Sequence, residues 1–181
     1  MGNCRIQNIK PPCNYVLEGV TEVLLLDFDD FKGFQFDGDD LYDNCKVTAI
    51  VRLADLVEIE APDLVAKYSS TMANGRYSHT LETFVSELSA DTLANLHLAT
   101  KRRQVPVFKA ATGKYFTFGY EAGATLVYNN QTAEAIGSLV SISASSIYPL
   151  FEVTADAVTG AMTLPEVWNV DYENNTYCED E

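Results

Sequence analysis

Arg76-Tyr77-Ser78-His79-Thr80-Leu81-Glu82-Thr83-Phe84-Val85-Ser86-Glu87-Leu88 is the stretch whose pattern decides the fold. Tyr77, His79, Leu81, Thr83 and Val85 fall on one side of an extended chain, and Ser78, Thr80, Glu82, Phe84 and Ser86 on the other. Side chains alternate across a strand with period 2, so this is a half-buried strand with one dry face and one wet face. Immediately before it, Asn74-Gly75 is the pair that favours a tight hairpin, and Tyr68–Ala73 reads as a strand or loop entering that turn.

Working outward, Ser89 stands where a helix N-cap belongs, and Asp91 places negative charge in the first turn. Leu93, Leu96, His97 and Thr100 follow helical spacing, Leu98 widens that side, and Lys101-Arg102-Arg103 supply positive charge at the end. A helix over about 89–103 follows. Strands are expected on both sides of it. Upstream lie Thr21–Asp27, the β-branched run from Lys46 to Val51, and Leu56–Glu60, closed by Pro62. Downstream lie Val105–Lys109, the aromatic-rich Lys114–Tyr120, Ala124–Tyr128 ending at an Asn129–Thr132 turn, the alternating Ile136–Ser143, and Ile147–Val153 interrupted by Pro149. Thr159-Gly160 reads as a turn. Strands, one helix, then strands predict an antiparallel β-sandwich or barrel with one flanking α-helix. The expected organisation is an extended arm and acidic loop over residues 1–45, the sandwich over 46–168, and an acidic tail over 169–181.

The 181 residues suffice for one well-buried domain. No apolar run approaches the ~20 residues that span a bilayer, and Met1–Pro12 has Arg5 and Lys10 without the apolar block of a signal peptide. The net charge is −14, and Lys114 is the last basic residue, so Tyr115–Glu181 is acidic without relief. Such a field repels phosphate and argues against adhesive nucleic-acid binding. Cys4, Cys13, Cys45 and Cys178 show no tight pair spacing of a zinc or redox site and read as free thiols, with a terminal zinc site or bridge as the alternative.

Catalytic patterns are missing from the chain. There is no nucleophile elbow, phosphate loop or dinucleotide fingerprint, and His79 and His97 sit on apolar sides, where core or interface roles are commoner. Asp27, Asp29, Asp30, Asp37, Asp39 and Asp40 supply oxygen donors of the kind calcium takes, but without EF-hand spacing. Phe28, Phe31, Phe34 and Phe36 are interleaved with these acids and suggest a loop whose aromatics dock on a neighbour. The expectation is therefore a non-enzymatic protein with no cofactor and no resident metal. A calcium- or carbohydrate-binding sandwich module is the reading from another class.

The order of elements from Tyr68 to Val153 resembles that of phage tail tube proteins and the tube proteins of contractile injection and type VI secretion systems. Local strings are also similar to virion proteins of Bacteroidetes phages: Leu25-Leu26-Asp27-Phe28-Asp29-Asp30, Gly119-Tyr120-Glu121-Ala122-Gly123-Ala124, and Ser146-Ile147-Tyr148-Pro149-Leu150-Phe151. This resemblance implies a virion protein assembled in the host bacterial cytoplasm, forming stacked, hexameric rings around a lumen that conducts DNA without sequence-specific contacts. Its partners would be itself and other tail or head–tail connector proteins, with no membrane insertion. Ser78, Thr80, Glu82 and Ser138 would face the lumen, and the N-terminal region and acidic loop would bridge subunits and rings. A tail terminator, head–tail connector or capsid decoration protein is the related alternative.

Overall fold

The computed structural model describes residues 19–38, 45–60, 66–132 and 136–160. Eleven strands and two helices are formed by them: β1 Val20–Asp27, β2 Phe31–Phe36, β3 Lys46–Arg52, β4 Val57–Ile59, β5 Lys67–Ala73, β6 Arg76–Val85, α1 Ala90–Thr100, β7 Gln104–Ala110, β8 Tyr115–Thr117, β9 Thr125–Gln131, β10 Gly137–Ser146, β11 Phe151–Val153 and α2 Ala155–Thr159. The fold is mainly β. Seven strands pair in the order β2-β3-β11-β8-β7-β1-β4 and four in the order β5-β6-β10-β9. Every pairing is antiparallel except the one between β11 and β3.

The larger sheet has apolar cover on both sides of its centre, and β1 shows why. Val23-Leu24-Leu25-Leu26 is continuously apolar, the pattern of a strand buried on both faces. Val23 and Leu25 enter a first core with Phe108, Phe118, Leu81, Leu126, Val140 and Ile142, between the two sheets. Leu24 and Leu26 enter a second core with Val105, Val107, Phe34, Val47, Ile50 and Phe151. That second core exists because the larger sheet curls. β1 and β2 stand five places apart in the strand order, about 24 Å at the usual ~4.8 Å strand spacing. Yet only Phe28–Asp30 joins them, a connection that spans at most about 14 Å.

Several expectations need correcting. Phe31–Phe36 is a strand rather than part of a turn-rich loop, with a turn at Phe28–Asp30 before it and a bend at Asp37-Gly38 after it. Val20–Phe36 therefore belongs to the sheet, and the arm expected over residues 1–45 does not extend through it. β9 runs on through Asn129 and Asn130 to Gln131, because cross-strand pairing with Ser138 and Leu139 holds these poor strand formers extended. The final strand is only Phe151–Val153, and Thr154 caps a five-residue helix where a turn was expected. Pro106 sits inside β7, flanked on both sides, and its carbonyl still accepts from the Thr117 hydroxyl at 2.8 Å.

Helix α1 begins as its sequence dictates. The Ser89 hydroxyl accepts from the Thr92 amide at 3.2 Å, and Asp91 lies in the first turn. The helix ends at Thr100, short of Arg103. Of its side chains only Leu96 is buried, packing into the first core, while His97 and Leu98 point outward. The expected apolar side is thus rotated: Leu96 is held by the core, and His97 and Leu98 follow onto the exposed flank.

Candidate functional site

The four-stranded sheet differs from the larger one in having a face with no layer over it among the described residues. β6 follows the alternation of its sequence. His79, Leu81 and Thr83 are buried on the inner side, while Ser78 is exposed and Thr80 and Glu82 are half-buried on the outer side. Strand register then assembles the outer face. Thr71, Ser78 and Ser145 form one row, and Ser69, Thr80, Ser143 and Thr125 the next. Lys67, Glu82, Ser141 and Val127 make a third. Eight hydroxyls lie in this grid, and Arg103 reaches it from outside, donating to the Thr125 hydroxyl at 2.6 Å. Two cations of the face are paired with carboxylates. Lys67 meets Glu82 at 2.8 Å, and Arg76 meets Glu121 at 3.2 Å.

Two glycine positions shape the sheet. The β5–β6 turn places both Asn74 (φ 52°) and Gly75 (φ 75°) at positive φ, the type I′ requirement that Asn-Gly meets with least strain. At Gly137 a Cβ would collide with the Val85 carbonyl oxygen and lie 2.5 Å from Phe84 Cζ. The Phe84 ring therefore lies across Gly137, which is how an aromatic on the wet face becomes buried.

Ser138 is the exception among the residues expected on the wet face. It is 0% exposed, and its hydroxyl donates to Asn130 Oδ1 at 2.7 Å. It shares the inward phase of β10 with Val140 and Ile142, so its assignment to the wet face is corrected. The serines of β10 that face outward are Ser141, Ser143 and Ser145. These, with Ser69, Thr71 and Thr125, escaped sequence reasoning because strand pairing, and not any local motif, brings them beside Ser78 and Thr80. The one available signal was the phase of the apolar Val140 and Ile142.

The phenylalanines form an internal cluster. Phe34 stacks on Tyr120 with ring centroids 5.4 Å apart, Phe36 meets Phe151 at 5.3 Å, and Phe31 meets Phe34 at 4.7 Å. Phe28, Phe31 and Phe36 are half-buried against the second core and Phe34 is buried within it. A strand laid across a core turns its rings inward, so their expected place on an inter-subunit loop is corrected to packing within the chain.

His79 is fully buried and held from both ring nitrogens. Nε2 lies 3.2 Å from the Tyr148 carbonyl oxygen, which can only accept, so Nε2 carries the hydrogen. Nδ1 then accepts from the Tyr68 hydroxyl at 2.7 Å. Burial pushes the imidazole below its ordinary pKa and the Tyr68 phenol above its own. The ring stacks with Phe118 and Tyr77, and the arrangement is that of a structural, neutral histidine.

Several other polar groups are tied into the fold, although Arg52 Nη1 and the Thr83 hydroxyl are buried without a hydrogen-bond partner among the described residues. Buried Arg52 donates to the carbonyls of Val158 and Gly160 at the end of α2. Asp27 binds Arg102 at 2.7 Å and its other oxygen accepts from the Asp29 amide. Asp37 approaches Lys46 at 3.8 Å. Among the described residues no three His, Cys, Asp or Glu side chains converge to hold a metal. Cys45 is a half-buried free thiol. Asp39, Asp40, Cys4, Cys13, Cys178 and the tail over 169–181 lie outside the described residues.

No family model, curated protein or solved structure matches the chain.

Proposed function

We propose that this is a structural subunit of the phage tail-tube type, assembling edge to edge into rings whose inner wall is the hydroxyl face. The observation that carries this reading is the make-up of the four-stranded sheet. It has a wet face of small hydroxyls, two edge strands, and four strands in strict antiparallel alternation. In such a sheet β5 and β9 run in opposite directions. The β9 edge of one copy therefore accepts the β5 edge of the next in antiparallel pairing, and rotation carries the sheet onward around a ring. Edge strands left open invite aggregation, and ring closure removes them.

Six copies, the number that the sequence resemblance implies, give a barrel of about 24 strands, well past the 16–18 at which barrels leave an aqueous channel. A lumen lined by serine and threonine, with Lys67 and Arg76 each paired to a carboxylate and the chain at −14, offers phosphate little to grip. In this account rings stack into a tube in the virion tail, built in the host cytoplasm, and DNA passes through without being read.

The edge pairing is tested by cysteine cross-linking. Single cysteines placed along β5 (Ser69→Cys) and along β9 (Asn129→Cys or Gln131→Cys) in one chain should give, on oxidation, a ladder of covalent oligomers ending at a closed ring. Cross-linking confined to β5–β5 or β9–β9 dimers in singly substituted chains would contradict head-to-tail closure.

A further inference from the structure

The tip of the β5–β6 hairpin holds the one Asn-Gly pair of the chain, Asn74-Gly75, and both residues are exposed. Ala73 pairs with Arg76, so these two residues are the whole turn. Neither the Asn74 side chain nor the Gly75 amide has a hydrogen-bond partner among the described residues. A Cβ at Gly75 would meet nothing within 4 Å, so no neighbouring side chain shields its amide nitrogen. Other asparagines lack this combination. Asn95 lies within α1, and Asn130 lies in β9 with its Oδ1 bound to the Ser138 hydroxyl. Each is followed by a residue with a bulky side chain, Leu96 or Gln131, which crowds the next amide nitrogen.

We infer that Asn74 is a site of self-modification that loosens β5 as the protein ages. The Gly75 amide nitrogen, giving up its proton to water or hydroxide, attacks Asn74 Cγ. An N–Cγ bond forms, the Cγ–Nδ2 bond breaks, and ammonia leaves a five-membered succinimide behind. Water then opens the ring. Its addition at Cγ gives aspartate, and its addition at the former main-chain carbonyl gives isoaspartate, in which the chain runs through Cβ and Cγ. Water is the one further reactant, and nothing is oxidised or reduced. Ring closure requires rotation about the Asn74 Cα–C bond, which the turn restrains, with Asn74 at φ 52° and Gly75 at φ 75°. The folded hairpin therefore slows the reaction, and the rate follows how often its tip opens. Isoaspartate is the product with consequences. It adds a methylene to the backbone of a two-residue turn, so the Ala73–Arg76 pair and the strand behind it lose their fixed register. Little else holds β5. It is an edge strand paired with β6 alone, and Tyr68, bonded to His79, is its only residue that is not exposed. β5 is also one of the two edges that the ring reading joins. On that reading a neighbour's β9 keeps the tip closed, so assembled copies are spared and unassembled copies lose the edge they would join by.

Ageing of the purified full chain at mildly alkaline pH, followed by mass-spectrometric peptide mapping and an isoaspartate assay, tests this. Deamidation should concentrate at Asn74, with Asn95 and Asn130 unchanged, and run about tenfold or more slower than in the chain unfolded in denaturant. Hydrogen exchange of the aged chain should be about tenfold or more faster along β5 than in fresh protein, with β7 and β10 unchanged. Asn74→Gly removes the reacting amide while Gly-Gly still takes the type I′ path, so its β5 should stay protected through the same treatment. Asn74 still intact after about a hundred times the period that converts the unfolded chain, or conversion at Asn95 or Asn130 ahead of it, overturns the site. Conversion with β5 protection unchanged, or equal loss of protection in Asn74→Gly, overturns the loosening. None of these readouts requires assembly, so a chain that forms no rings contradicts the ring reading while the fate of Asn74 is still decided.

Discussion

The two sheets of this protein obey the same strand alternation and reach opposite outcomes. In the seven-stranded sheet, β1 is apolar at four consecutive positions, both its faces are buried, and the curl behind it supplies a second core. In the four-stranded sheet, one face of β6 and β10 enters the first core, and the other carries hydroxyls, with Phe84 and Leu139 as its apolar exceptions. One sheet spends both faces on holding the molecule together. The other leaves a face and two edge strands uncovered among the described residues, and it is there that the proposed function is placed.

The largest test of this contrast is mutational. Leu25→Ala and Leu26→Ala, adjacent in sequence but in different cores, should each lower unfolding free energy by about 2–5 kcal/mol. Thr80→Ala and Ser143→Ala on the outer face should stay within about 0.5 kcal/mol of the wild type. Denaturant titration of the four variants measures the difference. A cost at Thr80 or Ser143 comparable to that at Leu25 would mean the outer face is structural.

A smaller effect is expected from His79, which ties the inner side of β6 to the segment after β10. Its folded pKa lies below the unfolded value, so the unfolded chain takes up the proton first as pH falls. The stability it contributes is complete above the ordinary histidine pKa near 6.5 and declines as pH drops below it. Thermal unfolding between pH 7.5 and 5 should therefore show a steeper loss for the wild type than for His79→Gln. Equal slopes would show that His79 is not kept neutral by burial.

The smallest change in stability, with the more informative readout, belongs to Glu82→Lys. The pair it removes is largely exposed and contributes at most a fraction of a kcal/mol. The substitution leaves Lys67 unpaired beside a second cation on the hydroxyl face. Assembled protein should then retain duplex DNA in a salt-sensitive manner that wild-type assemblies lack, as read by co-sedimentation at low and high salt. No gain in retention would remove the outer face from the proposed lumen.

How much of this the sequence discloses depends on whether a feature is local. The alternation at Arg76–Val85, the Asn74-Gly75 turn and the Ser89 cap are each written in a few neighbouring residues, and the structure forms them as expected. The fold class follows from their order. Phe28–Phe36 misleads because acids and glycines near aromatics read as a loop until β3 is available to pair with β2. Ser138 misleads because its type suits a wet face while its phase, shared with Val140 and Ile142, places it inside. The hydroxyl grid itself is not local at all, since Ser69, Ser78, Ser143 and Thr125 meet only through the register of four strands. His97 and Leu98 are legible as helix but not as exposed, because the rotation of α1 is set by Leu96 and the core beneath it.

Electron microscopy of the purified protein across a wide concentration range addresses the central claim most directly, with averaging fine enough to orient the two sheets. The account predicts closed rings and hollow tubes in which the four-stranded sheets join edge to edge and the face of Ser78, Thr80 and Ser143 lines the lumen. A protein that stays monomeric throughout, or assemblies that turn this face outward, would contradict it.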